Sequence, residues 1–260
     1  MTTNSKAYYY ISKTDDPFFN IALEDYLYTQ RRDLDQIYFL WNNRPSVFMG
    51  RYQAAEAETD MLYLSKHGIP TLRRISGGGT VYHDHGNLNF SSIKNELSGR
   101  GFDLRSFPLP ILQAIKSEGV ELEVSPRGDL RINGFKVAGS AEATRSGRML
   151  YHLCILFDAD LNELERVLRV DPNISVRSRV ASVRSSVCNL KPHLPRIEGM
   201  ESFRSLIIQT LKERHGELIQ LDEENLDLEY ILRIQEQRYA SAAWIYNPIG
   251  RTLLKKKENK

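Results

Sequence analysis

Residues 73–84 of this 260-residue chain read RRISGGGTVYHD. Three consecutive glycines lie between a basic, β-prone run and a short Val-Tyr strand signal. Glycine has no Cβ, so its amides can approach a ligand closely, and successive N–H groups in such a turn form an anion site. Arg73 and Arg74 add fixed charge and forked donors that suit a carboxylate or a phosphate. The segment therefore predicts a site for a small anionic ligand held against the main chain.

Two well-known phosphate motifs do not describe this glycine loop, residues 76–80. A P-loop ends in Gly-Lys followed by Ser or Thr, whereas Gly79 is followed directly by Thr80. The G-x-G-x-x-G spacing of dinucleotide-binding proteins is also missing from the segment. Three glycines alone are more typical of a plain hairpin between strands, and it is the flanking Arg-Arg and His-Asp pairs that favour an anion site.

The composition is typical of a globular protein. Hydrophobic residues make up 41%, charged residues 26%, and the formal net charge is only +2, which argues against a dedicated nucleic-acid binder. No apolar run approaches the roughly 18 residues of a membrane span. The N-terminus has no signal or transit segment, so we expect a cytoplasmic protein. Cys154 and Cys188 have no zinc spacing, and we expect both thiols to be reduced.

Hydrophobic periodicity and turn residues predict alternating strands and helices. The predicted strands are 7–11, 37–41, 46–50, 70–76, 88–93, 120–124, 129–132, 136–142 and 149–157. The predicted helices are 17–30, 58–67, 103–118, 160–168, 200–215 and 222–239. The second and third strands are expected to form a hairpin across residues 42–45, and residues 171–198 are expected to be irregular and basic.

A lysine near the start of a predicted strand marks the second distinctive segment. Residues 133–141 read NGFKVAGSA, so Lys136 follows a tight Asn-Gly turn and precedes small residues. Small neighbours leave room for a ligand against the strand. Alone, this is the pattern of an ordinary surface lysine, but beside the glycine loop it becomes a candidate ammonium for a phosphate or carboxylate.

Three segments together resemble the motifs of the lipoate–protein ligase family, in the family's order and spacing. They are RRISGGGTVYHDHGNLNFS from Arg73, NGFKVAGSA from Asn133 and SVRSSVCNL from Ser182. The resemblance runs from about Tyr10 to Trp244. It implies the α/β fold, a mixed β-sheet flanked by helices, that this family shares with biotin ligases and class II aminoacyl-tRNA synthetases. It also implies one catalytic domain over residues 1–250, before a basic tail over 251–260.

The resemblance implies a two-step reaction. Lipoate and ATP, with Mg²⁺, first give lipoyl-adenylate and pyrophosphate, and the lipoyl group then passes to the ε-amine of an acceptor lysine. Lys136 would be the catalytic lysine, and Asp129 would be a metal ligand. The residues that the motifs imply for lipoate and adenylate binding are Arg74, Ser76, Gly77, Gly78, Gly79, Thr80, Val81, His83, Asp129, Gly139, Ser140, His152 and Cys154. Candidates for an apolar lipoyl tunnel are Trp41, Phe48, Val81 and Tyr82.

The chain departs from the family pattern at positions that bear on this site. Gly128 stands where the family has asparagine, and Leu153 and Cys154 replace a Gly-Thr pair, which predicts an altered adenylate pocket. Related octanoyltransferases form a thioester on a cysteine that, in the ligase-like branch, lies just upstream of the lysine motif. Residues 120–135 contain no cysteine, so the sequence favours adenylate chemistry.

Three hypotheses stay open from the sequence, and biotin ligation is a weaker fourth because the Lys136 segment lacks the basic glycine loop of the biotin ligases. The first is ATP-dependent lipoate ligation. The second is lipoyl or octanoyl transfer from a preformed donor, or adenylation that needs a separate accessory protein, because many single-chain ligases carry a small C-terminal domain beyond the position of Trp244. The third is a non-catalytic protein that docks lipoyl domains. By resemblance, the acceptors would be lipoyl domains of 2-oxoacid dehydrogenase acyltransferase subunits and the glycine-cleavage H protein, with no nucleic acid or membrane partner.

Overall fold

Two β-sheets and their flanking helices organise the computed structural model, which describes residues 3–96, 101–169 and 180–246. Within these ranges the strands are β1 (Thr3–Ile11), β2 (Gln36–Trp41), β3 (Ser46–Met49), β4 (Thr71–Arg73), β5 (Val81–His83), β6 (Asn87–Asn95), β7 (Glu123–Val124), β8 (Leu130–Ile132), β9 (Phe135–Arg145), β10 (Arg148–Leu156) and β11 (His215–Gln220). The α-helices are α1 (Pro17–Thr29), α2 (Ala55–Glu58), α3 (Met61–His67), α4 (Leu109–Ser117), α5 (Leu161–Val167), α6 (Met200–Arg214), α7 (Leu228–Ile234) and α8 (Ala242–Tyr246). The predicted basic tail, 251–260, and residues 171–179 of the basic stretch lie outside the described residues.

The larger sheet is mixed and has the strand order β11–β1–β2–β6–β10–β9–β8–β7. In it β1 runs parallel to β11 and β2, and the other neighbours pair antiparallel. The smaller sheet has the order β4–β3–β5, with β3 parallel to β4 and antiparallel to β5. The predicted mixed sheet flanked by helices is confirmed. In the described ranges, no helix combines the length and apolarity needed to cross a bilayer.

Both faces of the central strands β2, β6 and β10 are buried, and the predicted site residues of β10 lie on one of these faces. On β2, Tyr38 joins the hydrophobic cluster that α4 and α6 cover, while Phe39 joins the cluster that α1 and α7 cover. On β10, Leu150 belongs to the α1 cluster. Side chains alternate along a strand, so His152 and Cys154 lie on the same face as Leu150, beneath α1.

Helix α1 begins where the sequence predicts. The Asp16 carboxylate accepts a hydrogen bond from the Phe18 N–H at 3.3 Å, and Pro17 occupies the first helical position. The cap pairs an N–H that the helix start would otherwise leave unsatisfied, and proline has no N–H to leave unpaired there. The predicted helix over 17–30 is therefore confirmed, and it packs against the sheet face that holds the site.

A fully buried arginine fastens the C-terminal end of α1 to the sheet. Arg148, the first residue of β10, donates from Nη2 to the carbonyls of Leu27 (3.2 Å) and Arg31 (2.9 Å), and from Nη1 to that of Leu34 (3.0 Å) and to the Asn95 side chain. Burial lowers the pKa of Arg148 to about 10. A helix end leaves its last carbonyls unpaired, and here the guanidinium binds one of them, that of Leu27, together with the carbonyls of Arg31 and Leu34 in the segment that follows the helix.

The predicted hairpin across residues 42–45 is wrong. Both strands form, but β2 pairs with β1 and β6 in the large sheet, whereas β3 belongs to the small sheet. Asn20 donates from Nδ2 to the Asn42 carbonyl (3.0 Å) and to Oδ1 of Asn43 (2.9 Å). These hydrogen bonds fix residues 42 and 43 to α1 at the point where the chain passes from the large sheet to the small one. The turn residues at 42–45 do not indicate such a long-range contact.

Other predicted boundaries shift for identifiable reasons. The predicted helix over 200–215 gives way at residue 215 to β11, which the sequence analysis missed because its parallel partner, β1, lies at the other end of the chain. The strand over 120–124 shortens to β7, and the helix over 103–118 starts with a 3-10 turn because Pro108 precedes α4. The helix over 222–239 divides into a 3-10 turn, α7 and a π-helical turn.

Replacing Arg148 by lysine should destabilise the protein by about 3 kcal/mol, because a single ammonium cannot reach the carbonyls that the planar fork pairs and would leave some of them buried without a partner. Chemical denaturation measures this free energy of unfolding. The control is Arg145→Lys, the same substitution at an exposed position of β9. Equal stabilities for the two variants would contradict the role given to Arg148.

Candidate active site

A cavity of about 300 Å³ lies where α1, the small sheet and the large sheet meet. The predicted site residues that line it are Arg74, Gly78, Gly79, Thr80, Val81, His83, Asp129, Lys136, Gly139, Ser140, His152 and Cys154. Ser76 and Gly77 lie behind its wall, where they contact Arg74. Trp41 and Phe48, two candidates for an apolar tunnel, also line the cavity, together with Ile21 of α1. The glycine loop and the lysine segment thus border one space.

A second cavity, of about 760 Å³, adjoins the first. Both are lined by Thr80, Val81, Lys136, Gly139 and Cys154, and by residues 181–183. Tyr82, the remaining tunnel candidate, lines only this second cavity, whose other walls come from α5 and residues 184–187. Lys136 therefore stands at the boundary between the two spaces.

The Arg74 side chain fixes the conformation of the glycine loop through hydrogen bonds to loop oxygens. Its Nη1 donates to the Phe48 carbonyl (2.9 Å), and its Nη2 donates to the carbonyls of Gly77 (2.7 Å) and Gly79 (2.6 Å). Nε donates to Oγ of Ser76 at 3.0 Å. Because all three nitrogens bind protein oxygens, Arg74 organises the loop, whereas the sequence analysis assigned it as a direct donor to an anion. Burial lowers the pKa of Arg74 to about 10, and it stays charged at neutral pH.

The glycine loop turns some of its main-chain N–H groups away from Arg74. A trans peptide points its oxygen and its N–H in opposite directions, so the carbonyls of Gly77 and Gly79 that face Arg74 turn the next N–H groups away from it. One of these, the Thr80 N–H, donates to Oγ of Ser182 at 2.9 Å. The amides of Gly77, Gly78 and Gly79 find no acceptor within the part of the chain that the structure describes. The backbone at position 78 is left-handed, with φ of 84°, a conformation that favours glycine.

Arg73 is likewise structural and does not face the cavity. Its side chain is 1% exposed and donates to the carbonyls of Gly50 (2.9 Å), Gln53 (2.7 Å) and Ile245 (2.6 Å). The Trp244 indole N–H donates back to the Arg73 carbonyl at 2.8 Å. Arg73 therefore ties the strand before the glycine loop to α8, and the expectation that both arginines offer donors to a ligand is corrected.

Lys136 is held by Asp129, with Nζ 2.8 Å from Oδ1. The lysine side chain folds back over its own strand and lies close to Gly139. A Cβ added at Gly139 would be only 2.9 Å from Nζ. The small residue therefore makes room for the lysine itself, where the sequence analysis expected room for a ligand. Arg131 also pairs with Asp129, at 3.5 Å. One carboxylate thus faces two cations, and the ammonium is positioned before any ligand arrives.

The residues present fit a magnesium ion only when it arrives with phosphate ligands. The described ranges contain no group of three or more His, Cys, Asp or Glu side chains placed to hold a metal. Mg²⁺ is commonly bound by one or two carboxylates together with substrate phosphates. Asp129 borders the cavity beside Lys136 and is able to supply one such carboxylate.

A buried polar chain crosses the cavity wall from α1 to the glycine loop. Oε1 of Glu24 accepts from Oγ of Ser91 (2.6 Å) and lies 3.0 Å from Nδ1 of His152. Nε2 of His152 lies 2.8 Å from Oγ of Ser76, and this oxygen accepts a hydrogen bond from Nε of Arg74. Glu24 is not among the residues predicted from the sequence, although it lies three positions after Ile21 on the apolar face of a helix, where a charged residue is an available signal.

His83 is neutral and presents one nitrogen without a protein partner. Asn43 accepts from Asn20 through Oδ1, so its amide NH₂ faces Nδ1 of His83 at 3.0 Å. The ring proton then sits on Nε2, which is buried and has no hydrogen-bond partner in the described chain. Burial, with further effects of Arg74 and His152, lowers the pKa of His83 to about 3.

The structure shows the surroundings of two residues that depart from the family pattern, Gly128 and Cys154. Gly128 has φ of 82°, and a Cβ there would lie 2.5 Å from Oγ of Ser140. The Cys154 thiol accepts from Nδ2 of Asn87 at 3.5 Å, and burial raises its pKa to about 12. The thiol therefore stays protonated at neutral pH, and protonated thiols are poor nucleophiles.

Comparison with known proteins shows the family to which the chain belongs. The family model of the lipoyl protein ligase A/B catalytic domain matches residues 16–212. Lipoate–protein ligase 1 of Staphylococcus aureus is 34% identical over 232 residues, which cover 89% of this chain and 70% of that protein. Lipoate-protein ligase LplJ of Bacillus subtilis is 33% identical over 235 residues, covering 89% of this chain and 71% of that protein.

Solved structures show the same fold. LipL1 of P. falciparum in complex with lipoate matches with a TM-score of 0.78 and 23% identity, over 93% of this chain and 74% of that one. A structure of the bipartite lipoate protein ligase of Thermoplasma acidophilum matches with a TM-score of 0.76 and 25% identity, over 95% of this chain and 99% of that one.

The chain therefore belongs to the lipoyl protein ligase A/B catalytic domain family. Within that family its relatives are lipoate–protein ligases at 33% and 34% identity, so the chain is an enzyme of the lipoate–protein ligase class. The resemblance drawn from the three sequence motifs is confirmed.

Replacing Gly50 by alanine should displace the glycine loop, because the new Cβ would lie 2.0 Å from the Gly78 carbonyl oxygen. Both contacting groups are attached to backbone, so neither can rotate away, and we expect a loss of about 2 kcal/mol or more in unfolding free energy. Gly199→Ala is the matched control, since a Cβ there meets no atom within 4 Å. Equal stabilities would show that the loop does not rest on Gly50.

The unfolding free energy should fall as the pH is lowered from about 6.5 towards 3. His83 has a pKa of about 3 in the folded chain and about 6.5 when unfolded. The unfolded state therefore binds more protons in this interval, at a cost of up to about 1.4 kcal/mol per pH unit. Denaturation at several pH values should show a smaller slope for His83→Gln, with the exposed His67→Gln as control, and an unchanged slope would contradict this account.

Proposed function

We propose that this protein is an ATP-dependent lipoate–protein ligase, with residues 1–250 as its catalytic domain. It joins lipoate to AMP, releases pyrophosphate, and transfers the lipoyl group to the ε-amine of a lysine on an acceptor domain. The observation that carries the proposal is the position of Lys136, which borders both cavities and shares the smaller one with Gly78 and Gly79, whose amides have no acceptor in the described part of the chain. Further support comes from relatives that are lipoate–protein ligases and from a structural neighbour that is a lipoate-protein ligase bound to ATP.

The smaller cavity suits the acyl chain. Ile21, Trp41 and Phe48 give it apolar walls, and the dithiolane and pentyl portions of lipoate are apolar. The Nε2–H of His83 and the Glu24–His152 pair add a few polar groups that could orient the ring, as in most small-molecule sites. One structural neighbour is a T. acidophilum protein with bound lipoic acid.

The larger cavity suits the nucleotide. Lys136 and Thr80 line it, and residues 184–187 add backbone and hydroxyl groups. A carboxylate reaching out of the first cavity would then meet the α-phosphate at the shared wall. There, Lys136 and the loop amides offset the negative charge that develops as the carboxylate oxygen attacks phosphorus and pyrophosphate leaves.

Mg²⁺ bound with the triphosphate would neutralise phosphate charge and orient the leaving pyrophosphate. Asp129 is the residue that would hold it. Because Asp129 already pairs with Lys136 at 2.8 Å, metal and ammonium would share one carboxylate, which keeps both cations near the reacting phosphate.

Acyl transfer to the acceptor needs orientation and a good leaving group, and AMP supplies the latter. Cys154 is not a candidate for a covalent intermediate, because its thiol is protonated at neutral pH. We therefore propose that the acceptor amine attacks lipoyl-adenylate directly, without the thioester intermediate of the octanoyl route.

The proposed acceptors are lipoyl domains of 2-oxoacid dehydrogenase acyltransferase subunits and the glycine-cleavage H protein. One structural neighbour was solved as a lipoylation system with its E2 lipoyl domain.

The test is an incubation of the chain with lipoate, MgATP and an E2 lipoyl domain. Lipoate-dependent pyrophosphate release and a mass increase of the lipoyl domain are expected. Modification only from preformed lipoyl-adenylate, or only after addition of an accessory protein, would establish the transfer or partner-dependent alternative instead. Absence of both signals under every condition would reject the proposal.

Replacing Lys136 by alanine should lower the rate of lipoyl-adenylate formation by about 100-fold or more, because a fixed charge at the reacting phosphate is lost. Single-turnover assays with radiolabelled ATP measure this rate. Lys94→Ala, at an exposed position on β6, is the control and should retain the original rate. A Lys136→Ala variant as fast as the control would remove Lys136 from the mechanism.

A further inference from the structure

Residues 180–187, here called the covering segment, line both cavities. Residues 180–183 border the smaller one and residues 181–187 border the larger one. The far end of the segment is fixed to β9, because the Lys136 N–H donates to the Ser186 carbonyl at 2.9 Å and the Cys188 N–H donates to the Lys136 carbonyl at 3.1 Å. Its near end, at Val180 and Ser182, has a different attachment.

That attachment is the side-chain amide of Gln53, which is 3% exposed. Its Oε1 accepts from the Gly50 N–H (3.0 Å) and from Oγ1 of Thr80 (2.9 Å). Its Nε2 donates to the Val180 carbonyl (3.0 Å) and to Oγ of Ser182 (3.0 Å). Both lone-pair positions and both protons of the amide are therefore used, the oxygen on the side of the glycine loop and the nitrogen on the covering segment.

Ser182 adds further hydrogen bonds between the covering segment and the rest of the protein, including the glycine loop. Its Oγ accepts from the Thr80 N–H at 2.9 Å, and its own N–H donates to Oε2 of Glu58 at 3.2 Å. A Cβ at Gly79 would lie 3.0 Å from Oγ of Ser182, so segment and loop touch directly. The register between the segment and the loop is consequently set by Gln53, Thr80 and Ser182 together.

We propose that Gln53 is a positioning residue that holds the covering segment on the glycine loop, so that lipoyl-adenylate is shielded from water until the acceptor lysine arrives. This inference rests on the proposed function. Lipoyl-adenylate is a mixed anhydride: water that attacks its acyl carbon breaks the acyl–phosphate bond and yields lipoate and AMP. Excluding water from a reactive intermediate is a recognised purpose of enclosed sites. Gln53 touches no reacting atom and acts through the segment that it holds.

The decisive variant is Gln53→Glu, which keeps an acceptor of equal length but loses both donors to the covering segment. The matched control is Gln36→Glu. Gln36 also donates from Nε2 to a serine hydroxyl, that of Ser92 (3.1 Å), and to a backbone carbonyl, that of Ile93 (3.2 Å), but it joins β2 to β6. Both variants thus lose the same two kinds of hydrogen bond at different places.

The measured quantity is AMP released per lipoyl domain modified, with lipoate, MgATP and the lipoyl domain present. Gln53→Glu should raise this ratio by about tenfold, the size expected when one to two hydrogen bonds are lost. Hydrogen exchange of the ligand-free protein should also rise at residues 180–187. Gln36→Glu should leave both quantities unchanged. If Gln53→Glu does not fold, Ser182→Ala removes only the hydroxyl partner and should raise both quantities less.

The result that overturns the inference is a ratio and an exchange rate at residues 180–187 that stay at the original values in Gln53→Glu and Ser182→Ala. Equal increases in Gln53→Glu and Gln36→Glu would overturn it as well, since general destabilisation would then explain them. Failure of the proposed function is distinguishable, because the unmodified protein would then release no lipoate-dependent AMP. In that case the exchange measurement still tests whether Gln53 holds the segment.

Discussion

The site depends on the buried guanidinium of Arg74. It draws the carbonyls of Phe48, Gly77 and Gly79 towards one cation, and the planarity of the peptide then turns the following N–H groups outward. All three guanidinium nitrogens are taken up by protein oxygens, so this cation arranges the main chain of the glycine loop at the cavity wall. An arginine is suited to this task because its fork reaches several carbonyls at once and keeps its charge when buried.

The cationic side of the site has a second, independent part. Lys136 is preset by Asp129 and lies over Gly139, at the wall that the two cavities share. A group fixed before the reaction need not reorganise when charge develops, which is the main source of electrostatic catalysis. The glycine loop beside the small sheet and an ammonium of the large sheet therefore border one cavity, and each is held by contacts within the protein.

The departures from the family pattern are accommodated by local geometry. Gly128 adopts a left-handed conformation close to Ser140, where a larger residue would need the serine side chain to move. Leu153 lies almost fully buried among the residues of the α4 and α6 cluster, and Cys154 holds a protonated thiol against Asn87. None of these positions supplies the groups that hold Lys136 or the glycine loop, so the chemistry proposed for the family is compatible with all of them.

Features that depend on neighbours along the chain follow from the sequence: the Asp16-Pro17 start of α1, the glycine loop, the strand that bears Lys136, and through its motifs the family. Long-range contacts were needed to show that residues 42–45 connect two sheets, that β11 adds to β1, that Arg74 binds carbonyls of the glycine loop and that Gln53 binds two segments. Caps and turns satisfy their hydrogen bonds within a few residues, whereas a parallel strand or a buried side chain finds its partners far away in the chain. Such partners become visible only when the chain is folded.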